Sequence, residues 1–336
     1  MTTIYEIAEK TGFSPSTVSR ALSNSGYCSP KTKAIVLEAA HQLNYIPSSA
    51  GRALKSKQTK RILFCIPDIL NPFYFEMIRG TTDVLDKHGY YSMLCYTKHK
   101  LKEELKFLRL LAEQYGDGMI MVSFNFNEKN MEAIRNSPFP IVTTNPYQDS
   151  TADENYDTVY VDHTQAMYLA TEHLVSLGHR EIALIIGDLN EQTSRERADG
   201  YRACMDAYQL PYDDSNFFIG DYTKESGERA AKQLLKSEKQ YTAIVTANDL
   251  MAMGLMIHFA KVKIRVPDDY SLISLDNTDY AQTLHPALTS VDMKQYAIGS
   301  QAAEFLMERF RGERTERKVE KITPELIIRD STKALQ

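Results

Sequence analysis

The rhythm of hydrophobic positions changes near residue 60. Before that point, apolar residues recur in three short runs at helical spacing. These are Ile4, Ile7 and Ala8; Val18, Ala21 and Leu22; and Ile35, Val36, Ala39, Ala40 and Leu43. Residues three or four apart share a helix face, so each run predicts a short amphipathic helix. The helix starts are marked. Thr3 with Glu6 three residues on has the form of a capping box. Ser14-Pro15 and Ser29-Pro30 each set a hydroxyl cap before a proline at the first helical position, where a missing N–H costs nothing. Gly12 suits the left-handed turn that stops the first helix. The second helix leaves Ser16, Thr17, Ser19 and Arg20 outside. Two short helices joined through a glycine turn describe a helix-turn-helix, whose second helix can enter the DNA major groove.

Beyond residue 60, short β-rich runs recur at 62–66, 91–95, 119–123, 141–144, 159–161, 182–186, 243–246 and 272–275. Helical stretches separate most of them, and this alternation predicts parallel sheets covered by helices. Asn71-Pro72, Asp162 with Gln165, and Asn248 open helices. Gly178 ends the helix that carries Leu169, Leu174 and Leu177. The units form two sets, roughly 61–161 and 162–290. A helix over about 292–311 and a last strand at 325–329 follow. Between head and module lie residues 48–56, SSAGRALKS. Nine residues that include a glycine are too few for a stable isolated helix, so this segment orders only when something docks it.

Charge sharpens the division. Residues 1–60 carry eight Lys/Arg against three Glu, a balance of +5; the whole chain is −5, so the remainder carries −10. A basic head on an acidic body is the electrostatic layout of a DNA reader, a solvated basic face being the bland alternative. The 336 residues suggest two or three domains, and 43% apolar with 25% charged residues is ordinary globular composition. Four cysteines (Cys28, Cys65, Cys95, Cys204) are widely spaced and suggest neither a disulfide framework nor a zinc site. The polar N-terminus is unlike a signal peptide, and no apolar run approaches the ~18 residues of a membrane span. A cytoplasmic protein is the simplest reading. P-loop, G-x-S-x-G and H-E-x-x-H motifs are missing, and His173 and His179 only straddle a helix end. No catalytic residue, metal or cofactor is therefore assigned, and an enzyme is not expected. A stand-alone sugar-binding protein would explain the large module but not the basic head.

The head carries a specific resemblance. Thr3-Ile4-Tyr5-Glu6-Ile7-Ala8, then Gly12-Phe13-Ser14-Pro15-Ser16-Thr17-Val18-Ser19-Arg20-Ala21-Leu22, resembles the lactose-repressor (LacI/GalR) family of bacterial transcription regulators. So does Leu43-Asn44-Tyr45-Ile46-Pro47, followed by Arg52-Ala53-Leu54. The resemblance implies an all-α helix-turn-helix domain at 1–47 and a hinge helix or linker at 48–60. It also implies an α/β, two-lobed, periplasmic-binding-protein-like (type I) effector and dimerisation domain at 61–336. Lobe 1 would hold about 61–161 and 293–323, and lobe 2 about 162–290 and 324–336. Pro15, Ser16, Arg20 and Tyr27 match the family's base-reading positions. An Arg fork suits guanine, and Pro15 and Ser16 suit thymine methyls or shape readout. Further DNA contacts are implied at Thr3, Tyr5, Ser14, Thr17, Ser19, Ser29, Lys31, Tyr45 and Ala53. Leu54 matches the leucine that wedges into the minor groove. Ser23 departs from the family's usual Asn, which puts one backbone contact in doubt.

Ligands of open α/β sheets bind beyond the carboxyl ends of the strands. Residues just after each strand are Asn71 to Tyr74, Ser123-Phe124, Asn145, Ser194 to Arg197, Tyr222, Asn248-Asp249 and Asp276-Asn277. By resemblance, Phe73, Tyr74, Ser123, Asn145, Arg197, Tyr222, Asn248 and Asp276 fall on effector-contact positions. Purely structural readings compete at three of them: Asn248 as a helix cap, Phe73 as a core residue and Asp276 as a turn residue. The function implied is that of a sequence-specific repressor of carbohydrate-related genes. It would act as a homodimer on a palindromic operator in double-stranded DNA under control of a sugar or sugar derivative. No membrane partner is implied. A catabolite-control regulator driven by a phosphoprotein corepressor is the neighbouring alternative. A C-terminal leucine heptad of the tetramer-forming kind is missing, which favours a dimer.

Overall fold

The computed structural model describes residues 2–23, 27–46, 51, 53, 56–123, 127–147 and 155–335. The chain divides into two compact units, Met1–Lys60 and Arg61–Gln336.

The first unit contains helices α1 (Ile4–Thr11), α2 (Pro15–Ser23) and α3 (Pro30–Gln42). Their inner faces meet in a small core of Ile7, Ala8, Val18, Ala21, Val36, Ala39 and Ala40, flanked by Ile4, Phe13, Leu22, Leu43 and Tyr45. Gly12 ends α1 at φ 72°, its N–H reaching the Ala8 carbonyl at 2.9 Å. Two details differ from the sequence reading. The Glu6 carboxylate meets the Thr3 hydroxyl instead of the backbone N–H, so only half of the capping box forms. Ile35 is 41% exposed. The buried stripe of α3 runs through Val36, Ala39 and Ala40, and Ile35 lies one ~100° step off it.

The second unit is built on two six-stranded sheets. The first contains β1 (Arg61–Ile66), β2 (Tyr91–Tyr96), β3 (Gly118–Met121), β4 (Ile141–Thr143), β5 (Asp157–Val161) and β11 (Val319–Ile322), in the all-parallel order β11-β5-β4-β3-β1-β2. The second contains β6 (Ile182–Ile186), β7 (Phe217–Ile219), β8 (Ala243–Thr246), β9 (Ser271–Asp276), β10 (Thr289–Asp292) and β12 (Glu325–Ile327). Its order is β12-β10-β9-β8-β6-β7, and only β12 runs antiparallel. Strands β3, β6, β8 and β9 are buried at every residue. Helices cover both faces of such a sheet, so its strands read as continuous apolar runs and not as alternation.

Among the described residues, nine helices pack on these sheets. They are α4 (Phe73–Lys87), α5 (Leu101–Ala112), α6 (Glu128–Arg135), α7 (His163–Ser176), α8 (Gln192–Ala207), α9 (Lys224–Leu234), α10 (Asp249–Lys261), α11 (Asp279–Thr283) and α12 (Gln295–Phe310). The chain passes between the sheets after β5, after β10 and between β11 and β12. Helix α12 thus returns to the first sheet and crosses α4 at contact distance. A Cβ on Gly299 would lie 2.0 Å from the Met77 carbonyl oxygen, and one on Gly80 2.2 Å from that of Tyr296. The segment behind α12 is fastened by Asp157, which is fully buried. Arg309 Nε and Arg314 Nη2 each lie 2.8 Å from its Oδ2, and the Lys318 N–H donates to its Oδ1 at 2.8 Å. Burial pushes the carboxyl up, but these donors outweigh it and hold it below the usual carboxylate value.

Candidate nucleic-acid interface and ligand cleft

Several residues predicted to meet DNA stand at the helix starts of the first unit and along α2. Ser14 closes the start of α2: its hydroxyl accepts from the Thr17 N–H at 3.2 Å and lies 3.0 Å from the Thr17 hydroxyl. Ser29 does the same for α3, accepting from the Thr32 N–H at 3.1 Å. Thr3 caps α1. Three of the predicted contacts are therefore helix caps, standing where the positive ends of helices suit phosphate. Ser16 and Arg20 are exposed, and Pro15, Thr17 and Ser19 half-buried. Arg20 Nε donates to the Ser16 carbonyl at 3.3 Å, so the guanidinium lies along α2. Tyr5 and Tyr27 are large aromatics at 69% and 87% exposure, and Lys31 is exposed. Tyr45 instead packs against the small core, and Ala53 is half-buried. Arg52, Leu54 and Phe124 lie outside the described residues.

In the second unit a cavity of about 360 Å³ lies between the two sheets, at the ends of their strands. The first lobe brings Phe73, Tyr74, Val122 and Asn145 to it, and the second brings Arg197, Tyr222, Asn248 and Asp276. Each follows from its element. Phe73 and Tyr74 open α4, where Asn71 Oδ1 accepts from the Phe73 N–H at 3.0 Å. Their rings meet edge to face, with centroids 5.2 Å apart. Arg197 lies in the second turn of α8 and is only 6% exposed. Its Nε has no hydrogen-bond partner, and its guanidinium makes no ion pair among the described residues. It stands over the Tyr222 ring, 5.5 Å from the centroid.

Tyr222 and Asp276 are held at positive φ, 62° and 107°, in a region that side-chain-bearing residues seldom enter. Such strain persists only where surrounding contacts enforce it, and it concentrates at binding sites. Those contacts are visible. The Tyr222 carbonyl accepts from Asn248 Nδ2 at 2.9 Å, and the Tyr222 hydroxyl lies 2.6 Å from that of Ser194. The ring lies so close to Gly187 that a Cβ there would sit 2.3 Å from it. The Asp276 carbonyl accepts from Gln295 Nε2. Burial and the nearby Asp249 carboxyl push the Asp276 carboxyl well up, with Arg197 opposing.

Several predicted contacts act behind the wall. Ser123 does not line the cavity. It is fully buried, its hydroxyl donates to Glu104 at 2.7 Å, and its carbonyl accepts from Asn145 Nδ2 at 2.9 Å. It therefore positions Asn145. Asn248 lines the cavity, but its Oδ1 caps α10 by accepting from the Met251 N–H at 2.9 Å. Asp249 turns away into a polar knot with Ser274, Ser290 and Thr278. Asn277 accepts from Arg329 at 2.6 Å.

Sequence reasoning passed over His163, Glu191 and Thr193, all of which line the cavity. His163 lies two residues beyond β5, so the strand-end rule would have found it. Burial, with Arg197 nearby, holds its imidazole well below the ordinary value, and its Nδ1 has no partner. Glu191 and Thr193 flank the start of α8, beside the arginine that was identified. Among the described residues, no three His, Cys, Asp or Glu gather to hold a metal ion, and no helix is long and apolar enough to cross a membrane.

A helix-turn-helix head and a two-lobed α/β module with a ligand-sized cleft define the class of ligand-responsive DNA regulators. Comparison with known proteins gives the family. Residues 3–48 match "Bacterial regulatory proteins, lacI family", and residues 171–332 match "Periplasmic binding protein-like domain". The HTH-type transcriptional repressor PurR of Photobacterium profundum is 34% identical over 336 residues, 100% of each chain. Catabolite control protein A of Priestia megaterium is 33% identical over 333 residues, covering 98% of this chain and 99% of that protein. Among solved structures, the transcriptional regulator CelR–cellobiose complex superposes with a TM-score of 0.75 at 26% identity, covering 98% of this chain and 100% of that one. The chain belongs to the lacI family of bacterial regulatory proteins; it is a DNA-binding transcription repressor and not an enzyme.

Proposed function

We propose that this repressor binds a near-palindromic operator as a homodimer and that a sugar or sugar derivative in the cleft sets its operator affinity. One α2 per chain reads one half-site, so a two-fold dimer matches a two-fold operator. Arg20 pairs with guanine, and the other predicted contact residues named above fix the head on the backbone. Leu54 acts as the minor-groove wedge. The observation that carries the effector reading is Arg197. A buried guanidinium with an unpartnered Nε and no close ion pair among the described residues, facing an aromatic-walled cavity, is costly to the free protein and is satisfied by a bound polar ligand. Phe73, Tyr74, Asn145, Tyr222, Asn248 and Asp276 complete the contacts, and Ser123 supports Asn145 from behind. Ligand binding biases closure of the two lobes, and closure is coupled to the head. The bound ligand of the cellobiose-complexed relative supports the saccharide reading.

The test is a thermal-shift titration of the purified full chain with neutral sugars, sugar acids, sugar phosphates and purines. A saturable rise in Tm with a saccharide, lost in Asp276→Ala, supports the reading. A response to purines alone would overturn the saccharide assignment, and an unchanged response in Asp276→Ala would overturn the site.

A further inference from the structure

We infer that the cleft selects an uncharged, polyhydroxylated ligand against its phosphorylated or carboxylated counterparts, and that Glu191 imposes this selection. The inference rests on the reading of the cleft as the effector site.

The charges around the cavity are unevenly balanced. Its described lining carries the carboxyl groups of Asp68, Glu191, Asp221, Glu225 and Asp276, against the cations of Arg197 and Lys224. Some of these are already compensated. Lys224 Nζ lies 3.5 Å from Glu225, and Asp221 pairs with Arg229 at 2.8 Å. Asp68 and Glu191 remain against Arg197, because burial and the Asp249 carboxyl push the Asp276 carboxyl well up toward its neutral form. A ligand that brought further negative charge would meet more carboxylate than guanidinium, and such a juxtaposition of like charges disfavours the wrong partner.

Glu191 stands where that conflict is sharpest. The first turn of α8 and Arg197 one turn further on would together form an anion site, from free N–H groups, helix dipole and guanidinium. Glu191 is the N-cap of the same helix, yet its side chain caps nothing. That side chain is half-buried and makes no hydrogen bond or ion pair among the described residues. Burial and the neighbouring Asp188 push its carboxyl up, and Arg197 pulls it down, which places it within the field of the guanidinium. A carboxyl at this N-cap lines the cavity beside the helix start that an anionic ligand group would otherwise use.

The unsatisfied atoms of the wall point the same way. Arg197 Nε is a donor without a partner, and the Asp276 carboxyl makes no hydrogen bond among the described residues. His163 Nδ1 is open on an imidazole that burial keeps neutral. A hydroxyl group both donates and accepts, so neighbouring hydroxyls can serve a guanidinium and a carboxyl at once; an ionised phosphate or carboxylate group accepts without donating.

The experiment is isothermal titration calorimetry on the full chain. The probes are a panel of neutral aldoses, ketoses and disaccharides, each beside its sugar phosphate or sugar acid, on wild type and Glu191→Gln. The expected result is binding of at least one neutral saccharide, with its charged counterpart at least about tenfold weaker. Glu191→Gln narrows that ratio about tenfold. An anionic counterpart that binds wild type as tightly as its neutral parent overturns the inference and leaves the saccharide reading standing. An unchanged ratio in Glu191→Gln overturns the role of Glu191. If no saccharide binds in either charge state, the saccharide reading falls and the inference with it.

Discussion

Replacing Arg197 with methionine should stabilise the ligand-free protein while abolishing its response to ligand. The side chain is 6% exposed, its Nε is without a partner, and no carboxylate among the described residues pairs with it. An orphaned buried donor costs about 1–3 kcal/mol. Desolvation of the charge adds to that cost, while the nearby carboxyls of Asp276, Glu191 and Glu196 and the Tyr222 face, 5.5 Å away, return part of it. Methionine fills similar space with an apolar, adaptable chain. The net gain is about 1–2 kcal/mol, which for a unit of this size raises Tm by roughly 2–8 °C. Wild type should gain about 2.7 kcal/mol from ligand at a hundredfold excess over Kd, and the variant nothing. Differential scanning calorimetry of both proteins, with and without a saccharide that binds wild type, reads both effects. If Arg197→Met lowers the stability of the free protein by more than about 1 kcal/mol, the guanidinium holds the fold together and the cleft loses its chief support as a binding site.

Three further outcomes are expected. Asp157→Asn should cost about 3–5 kcal/mol, because two guanidinium groups lose their buried counter-ion. In wild type the Asp157 carboxyl is held below its ordinary 3.8, so its contribution is whole above that pH and fades as pH falls through the lower folded value; acid unfolding curves of the two proteins should converge there. His163 is held well below 6.5, so the unfolded chain protonates first and stability falls as pH drops below about 6.5. His163→Asn should remove up to about 1.4 kcal/mol per pH unit of that slope, and identical slopes would show an imidazole that titrates normally. Arg20→Ala should relax discrimination at one base pair by about 1–3 kcal/mol in competition against single-base operator variants, whereas a uniform loss across variants would make it a backbone contact.

The head was legible because its signals are local. Thr3, Ser14, Ser29 and Gly12 each mark a helix end through their own side-chain or backbone chemistry, and the caps lie where those residues stand. Strands β3, β6 and β8 were legible because burial on both faces makes them uniformly apolar. Strands β7, β10 and β11 escaped for the complementary reason. The Val319–Ile322 strand at a sheet edge alternates exposed and half-buried residues, and Thr289–Asp292 carries Ser and Asp, with Ser290 serving a buried polar knot. Much of the cavity's lining was readable at strand ends, but its supporting layer was not. That Ser123 faces Glu104, or that Asp249 faces Ser274 and Ser290, depends on partners 19 to 41 residues away. Local pattern carries no record of such distant partners.

In the proposed mechanism, occupancy of the cleft sets operator affinity. The most direct test is an anisotropy titration of the full chain against an operator selected from random duplexes, with and without a saccharide that binds the cleft. Bound saccharide should shift operator affinity by about 5- to 150-fold in wild type and not at all in Arg197→Met. Equal operator affinity with and without bound saccharide in wild type would contradict that mechanism.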